Sequence, residues 1–127
     1  VQSGRCLCGA VTLVAKGEPV NVRVCHCRLC QKAMGAPFLA RALFRGTQVD
    51  ISGDFTTYNS SEFVERLACK TCGAPLGARP VDKSHIAIAL GVFDDREAYT
   101  PTEHIWVSEK MGWVKLTDEW PQYPKGH

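Results

Sequence analysis

Val20-Asn21-Val22-Arg23-Val24-Cys25-His26-Cys27-Arg28-Leu29-Cys30 is the stretch on which the fold of this chain turns. Its first five residues alternate apolar and polar with a period of two, the pattern of a strand with one face buried. That strand runs straight into three cysteines within six residues, Cys25, Cys27 and Cys30. Arg28 to Met34 then reads as a short helix, which Gly35-Ala36-Pro37 would end. A strand feeding a cysteine knuckle predicts a metal-built β domain rather than a helical one.

Working outward, Gly9 to Ala15 is mostly apolar and β-branched, and Lys16-Gly17-Glu18-Pro19 stops it as a turn would. After Pro37 the runs Phe38 to Phe44, Gln48 to Ile51 and Phe55 to Tyr58 are separated by Arg45-Gly46-Thr47 and Ser52-Gly53-Asp54. Phe63 to Ala68 leads into a second knuckle, Cys69-Lys70-Thr71-Cys72-Gly73. Pro75 to Arg79, His85 to Val92 and His104 to Val107 complete the predicted strands, and the tail from Trp113 is expected to wrap the surface. Many short strands and one short helix predict an antiparallel all-β fold, several small sheets organised around the knuckles. No linker divides the 127 residues, a length that corresponds to one domain at roughly 150 residues each. Residues 1–127 are therefore expected to form one zinc-binding domain.

With 45% hydrophobic and 22% charged residues the composition is that of an ordinary globular protein, which excludes the disordered class. Fifteen Lys and Arg against thirteen Asp and Glu leave a charge of +2 with both signs scattered, so no basic stripe offers itself to nucleic acid. Apolar runs such as His85 to Leu90 fall far short of the roughly 20 residues that cross a bilayer. A soluble, cytoplasmic protein with no membrane partner is expected. The seven cysteines are an odd number that cannot all pair in disulfides, and a chain of this size needs no staples, so metal is favoured. Seven thiolates on two divalent ions would move the formal charge from +2 to −1.

Cys6-Leu7-Cys8-Gly9 and Cys69-Lys70-Thr71-Cys72-Gly73 are two pairs, each short enough to offer both sulfurs to one ion. Together they predict a closed four-thiolate site. The i, i+2 spacing puts Cys6 and Cys8 on one face of an extended segment. In the second pair the spacing is i, i+3, and Gly73 after its last cysteine can adopt the positive φ that turns backbone N–H groups toward sulfur. Cysteines that merely pack as small hydrophobes have no reason to come in such pairs. Cys25, Cys27 and Cys30 differ in kind: three protein ligands is the donor count of a catalytic metal site. Closure of that site by a histidine is the alternative, although His26, between two i, i+2 ligands, points the opposite way along a strand. A redox dithiol, Cys27 with Cys30 at a helix start, is a further reading, against which the third cysteine argues.

The motifs Gly4-Arg5-Cys6-Leu7-Cys8-Gly9-Ala10-Val11, Cys25-His26-Cys27-Arg28-Leu29-Cys30, Gly53 with Tyr58-Asn59-Ser60-Ser61, Arg66, Cys69-Lys70-Thr71-Cys72-Gly73, His104-Ile105-Trp106-Val107 and Trp113 occur in that order. The series resembles the glutathione-dependent formaldehyde-activating enzymes, which are related to the centromere protein V domain. The resemblance implies a β-tent-like fold, a structural zinc on Cys6, Cys8, Cys69 and Cys72, and a second, catalytic zinc on Cys25, Cys27 and Cys30. It also implies a carbon-sulfur lyase resembling S-(hydroxymethyl)glutathione synthase, which combines a small thiol such as glutathione with formaldehyde. The rival reading, suggested by the centromere relative, is a zinc-built binding module without turnover.

Among the remaining residues, His85 and His104 are expected to be strand-end histidines bonded to backbone, and His26 to serve either as a proton relay or as a solvated side chain. Arg28, Lys32 and Arg41 lie near the trio in sequence and either meet glutathione carboxylates or form a solvated basic face. Trp106, Trp113 and Phe38 read as core aromatics.

Overall fold

Strand alternation, more than helix, organises the chain. The computed structural model describes residues 1–126. It contains β1 (Gln2–Arg5), β2 (Thr12–Ala15), β3 (Asn21–Cys25), α1 (Arg28–Met34), β4 (Leu39–Arg45), β5 (Val49–Ser52), β6 (Phe55–Asn59), β7 (Val64–Cys69), β8 (Pro75–Pro80), β9 (His85–Ala89) and β10 (Glu103–Ile105). The fold is thus all-β with one short helix. A three-stranded antiparallel sheet has the order β1-β2-β5, and a seven-stranded sheet the order β10-β3-β4-β9-β8-β7-β6. Every pairing is antiparallel except β10 on β3, which is parallel, with Ile105 opposite Cys25. Among the described residues no helix is long and apolar enough to cross a membrane.

The period-two pattern divides the large sheet into two faces. Val22, Ala42, Ile88, Gly77 and Leu67 are successive cross-strand partners over five strands, and this face packs on Val11, Leu13 and Ala15 of the small sheet in one buried cluster. Phe44, Leu13, Leu67, Leu76 and Ile88 are fully buried, each contributing about 1.5–3 kcal/mol through the apolar area removed from water. Phe44, Phe93 and Tyr99 close one end with ring centroids 4.9 to 6.3 Å apart. On the other face run two rows, Asn21-Leu43-Ala87-Ala78-Arg66 and Arg23-Arg41-Ala89, with Cys25 opposite Leu39 beyond them. The cysteine knuckle belongs to this second face.

Two aromatics depart from the core role the sequence suggests. Phe38 is 39% exposed and Trp113 67% exposed, because Phe38 lies just before β4 and Trp113 lies in a stretch of the tail outside any strand. The apolar run from His85 also ends early: β9 stops at Ala89 and Leu90–Val92 forms a single 3₁₀ turn.

Gly77 stands where β8 comes closest to β9. A Cβ there would collide with the carbonyl oxygen of Ala87, and the backbone of a paired strand cannot yield. Gly77→Ala is expected to cost about 3 kcal/mol, the upper end for overpacking, and to lower the thermal midpoint by about 10 °C. A calorimetric midpoint within two or three degrees of wild type would show that the two strands separate freely.

Candidate functional site

Cys6 and Cys8 lie in the turn that follows β1, while Cys69 ends β7 and Cys72 sits in the turn before β8. Chain folding brings the pairs together across the two sheets. Cys6 Sγ is 3.6 Å from Cys8 Sγ, and Cys8 Sγ is 3.8 Å from Cys69 Sγ. Four sulfurs about 2.3 Å from one zinc form a tetrahedron with edges of about 3.8 Å, so the spacing suits that ion. Gly73 at φ 75° takes the left-handed conformation expected after the second pair, and Gly9 at φ 82° does the same after the first. The turns aim N–H groups at sulfur: Val11 N–H donates to Cys6 Sγ at 3.3 Å, Thr71 N–H to Cys69 Sγ at 3.3 Å, and Cys72 N–H to Cys69 Sγ at 3.4 Å. The Val11 donor is the main reason the Cys6 thiol drops to about 6, since a hydrogen bond to the charged form favours it.

The second cluster is built by β3 running into α1. Cys25 is the last residue of β3, Cys27 caps α1, and Cys30 lies in its first turn. The Cys27 sulfur accepts the Cys30 N–H at 3.3 Å, which starts the helix, and Gly35 in the left-handed conformation ends it. The three sulfurs all lie within 4.8 Å of one another, and among the described residues no histidine or carboxylate joins them. This arrangement disfavours closure by His26. Cys25 and Cys30 are 5% and 6% exposed. The sulfurs of Cys25 and Cys27, and then the Arg66 guanidinium, hold the Cys30 thiol far below its usual range. Conversely the Cys27 and Cys30 sulfurs push the Cys25 thiol far above it. Three sulfurs thus compete for one negative charge, and only a cation among them lets all three ionise.

Arg66 reaches this cluster from β7. Its guanidinium donates to Cys30 Sγ at 3.5 Å and to Ser60 Oγ at 2.9 Å, although the residue is only 6% exposed. Ala78 and Ala87, its neighbours on β8 and β9, leave room for the side chain on the sheet. Arg41, beside the trio on β4, donates to Asn21 Oδ1 at 2.8 Å. Arg28 and Lys32 are exposed, whereas Arg41 is half-buried.

His26 is fully buried, which removes the solvated reading. Its Nε2 lies 3.0 Å from His104 Nδ1, and His104 Nε2 lies 2.7 Å from Asp118 Oδ2. A carboxylate only accepts, so His104 Nε2 carries a proton, and in the neutral tautomer its Nδ1 accepts from His26 Nε2. His104 is therefore bonded through side chains, not to backbone as a strand-end histidine would be. Burial, and next the His104 ring, lower His26 to about 4, so it stays neutral at neutral pH. Burial opposes the Asp118 charge, yet the His104 hydrogen bond keeps its carboxyl below the usual range. The relay pins the C-terminal tail behind the knuckle. Gln31 Nε2 holds the same backbone by donating to His26 O at 2.7 Å and Glu109 O at 2.9 Å. A cavity of about 430 Å³ opens beside α1, lined by Cys6, Met34, Phe38, Leu39 and Ala89, and Leu39 is the cross-strand partner of Cys25.

Comparison with known proteins agrees with this arrangement. Residues 1–109 match the family described as glutathione-dependent formaldehyde-activating enzyme. A protein of Schizosaccharomyces pombe named "Uncharacterized lyase C29B12.13" is 37% identical over 73 residues, 58% of this chain and 53% of that protein, so the chain spans about half the length of that curated relative. A crystal structure of a Rhodobacter sphaeroides protein superposes with a TM-score of 0.61 at 20% identity, covering 78% of this chain and 97% of the other, a likeness of fold. With the match extending from the first cysteine pair past both knuckles to Glu109, the chain belongs to the glutathione-dependent formaldehyde-activating enzyme family.

Proposed function

We propose that this chain is a carbon-sulfur lyase that joins a small thiol such as glutathione to formaldehyde, forming the S-hydroxymethyl thiol. The observation that carries the reading is the contrast between the two clusters, four converging cysteines in one and three in the other. Cys6, Cys8, Cys69 and Cys72 would hold a structural zinc, and Cys25, Cys27 and Cys30 a catalytic one. When bound to three thiolates, zinc is a weak Lewis acid toward a carbonyl, and the chemistry it supplies is stabilisation of a further thiolate at neutral pH.

The reaction itself is modest: the thiol loses its proton, sulfur forms a bond to the formaldehyde carbon, and the carbonyl electron pair takes a proton to become the hydroxyl. No oxidant is needed. The contribution left to the chain is to gather the reactants and keep the sulfur ionised. Arg66, donating to Cys30, offsets negative charge at the trio. Gln31 and the His26-His104-Asp118 chain hold the knuckle backbone in place, so that the three sulfurs form one rigid end of the site.

The test is exchange spectroscopy on ¹³C-formaldehyde with glutathione at equilibrium. The zinc-loaded chain is expected to speed exchange between free and thiol-bound carbon on the order of a hundredfold, the scale on which positioning acts. A chain carrying two zinc ions that leaves the exchange at its buffer rate would be a binding module instead. Selective oxidation of Cys27 and Cys30 to a disulfide by oxidised glutathione, with the other metal retained, would favour dithiol exchange.

A further inference from the structure

The trio differs from the four-cysteine cluster in its surroundings as much as in its ligand count. Around Cys6, Cys8 and Cys69 the sulfurs are met by backbone N–H groups. Around Cys25, Cys27 and Cys30 stand two arginines from the same sheet face. Arg66 touches Cys30. Arg41 lies in the row next to Cys25 on adjacent strands. Burial weighs against the Arg41 charge, while the Cys25 sulfur is the first group that favours it.

Among the described residues neither arginine has a carboxylate partner. Among the described residues the acidic groups in ion pairs are Asp94, Asp50, Glu103, Glu65, Glu97 and Asp118, and their partners are other side chains. Glu103, the acid on the same face, is bound by Arg23 at 3.1 Å, with both side chains largely buried. Arg41 makes one hydrogen bond, through one of five N–H donors, to a neutral amide. A half-buried guanidinium with spare donors, on the row next to Cys25, suits an anion. Three thiolates and a divalent ion carry −1 and two guanidinia turn this to +1, so the substrate's thiolate brings the sum to zero and its carboxylate would rely on the hydrogen bonds that Arg41 offers.

We propose that Arg41 is a specificity-determining residue that takes a carboxylate of the thiol substrate beside the cysteine trio, so that the site selects acidic thiols over neutral ones. This rests on the reading of the trio as the thiol site. Arg66 is already committed to Cys30 and Ser60 and is almost fully buried, whereas Arg41 is more open and spends one donor, on Asn21. Its planar fork matches a carboxylate through two parallel hydrogen bonds, which a lysine ammonium cannot reproduce.

Calorimetric titration of the zinc-loaded chain with glutathione and with glutathione diethyl ester tests the proposal, with 3-mercaptopropionate against 2-mercaptoethanol as a smaller pair. The acidic member of each pair is expected to bind about 10–100 times more tightly, the range of a charge-assisted hydrogen-bonded pair. In Arg41→Met that preference should vanish, and in Arg41→Lys it should be partly restored, while zinc per chain and thermal midpoint stay at wild-type values in both. Equal affinity for acid and ester, or a preference that survives in Arg41→Met, overturns the assignment. So does a variant that loses zinc together with all thiol binding, since Arg41 would then merely hold the cluster together. Equal acceleration of formaldehyde exchange with both thiols would sink the assignment and spare the lyase reading. Absence of binding and of acceleration with either thiol would sink both.

Discussion

Cys69→Ser is expected to leave the chain unfolded and largely insoluble, with no cooperative thermal transition. The reason lies in where the four-cysteine cluster sits. Cys6 and Cys8 follow β1 of the small sheet, while Cys69 ends β7 and Cys72 lies in the turn before β8 of the large one, so one ion would tie together segments 61 residues apart, Cys8 to Cys69. A structural zinc contributes about 10–16 kcal/mol of apparent binding energy, comparable to or greater than the about 5–15 kcal/mol of net stability of a typical domain. A serine hydroxyl is a poor ligand and is not ionised at neutral pH, so the loss is that of the ion rather than of one contact. Three sulfurs would remain crowded and partly buried without a cation to neutralise them. Stripping the wild type with a chelator should reproduce the effect. A Cys69→Ser protein with a sharp, wild-type-like transition in circular dichroism would show that the pairs do not share an ion.

How much of the fold is legible in the sequence depends on whether an element carries its own pattern. The alternation from Val20 to Val24 foretells β3, and Arg28 to Met34 coincides with α1 because both of its ends are local: Cys27 caps one and Gly35 turns the other. β1 is different. Of Gln2–Arg5 only Gly4 is buried, with no room for a Cβ beside the Val92 carbonyl, 2.7 Å away. Such a strand is defined by its partners, β2 and the bridge to Phe93, and has no hydrophobic period to read. The parallel setting of β10 is likewise absent from its three residues. Antiparallel and parallel strands share the same alternation, and the direction follows from the long connection after β9.

The site divides along the same line. Cysteine pairs and trios are local in spacing, so both cysteine clusters can be read from the chain, as can the positive φ of Gly73. Arg66 and the His26-His104-Asp118 chain depend on tertiary register. Arg66 meets Cys30 across 36 residues, and His26 meets His104 across 78. The only signal for the second of these is the alternation that turns His26 away from Cys25 and Cys27, toward whatever the opposite face provides. His85, a strand-start histidine, bonds to the neighbouring Ser84 hydroxyl instead of backbone.

Cys27→Ser should separate metal from fold at the other cluster, lowering zinc from two ions per chain to one while the thermal midpoint stays within a few degrees of wild type. Cys27 is the N-cap of α1, with extended backbone angles of φ −66° and ψ 153° and a sulfur that accepts the Cys30 N–H. Serine is among the preferred residues at that position, and its hydroxyl can accept the same N–H. The knuckle is also held independently of its sulfurs, by His26 N–H donating to Ile105 O at 3.0 Å and by Gln31 Nε2 on His26 O. The trio spans six residues and closes no long loop, so removing its ion returns little chain entropy to the unfolded state. What the substitution removes is a third thiolate, and with it the negative charge that retains a divalent ion between Cys25 and Cys30. Formaldehyde exchange should then fall to the buffer rate, a loss on the order of a hundredfold, in a protein that still melts cooperatively. Metal analysis and exchange spectroscopy on the same preparation decide the matter. Two zinc ions in Cys27→Ser, or none, would break the division into a four-cysteine structural site and a three-cysteine catalytic one, and one zinc with undiminished exchange would remove the trio from the chemistry.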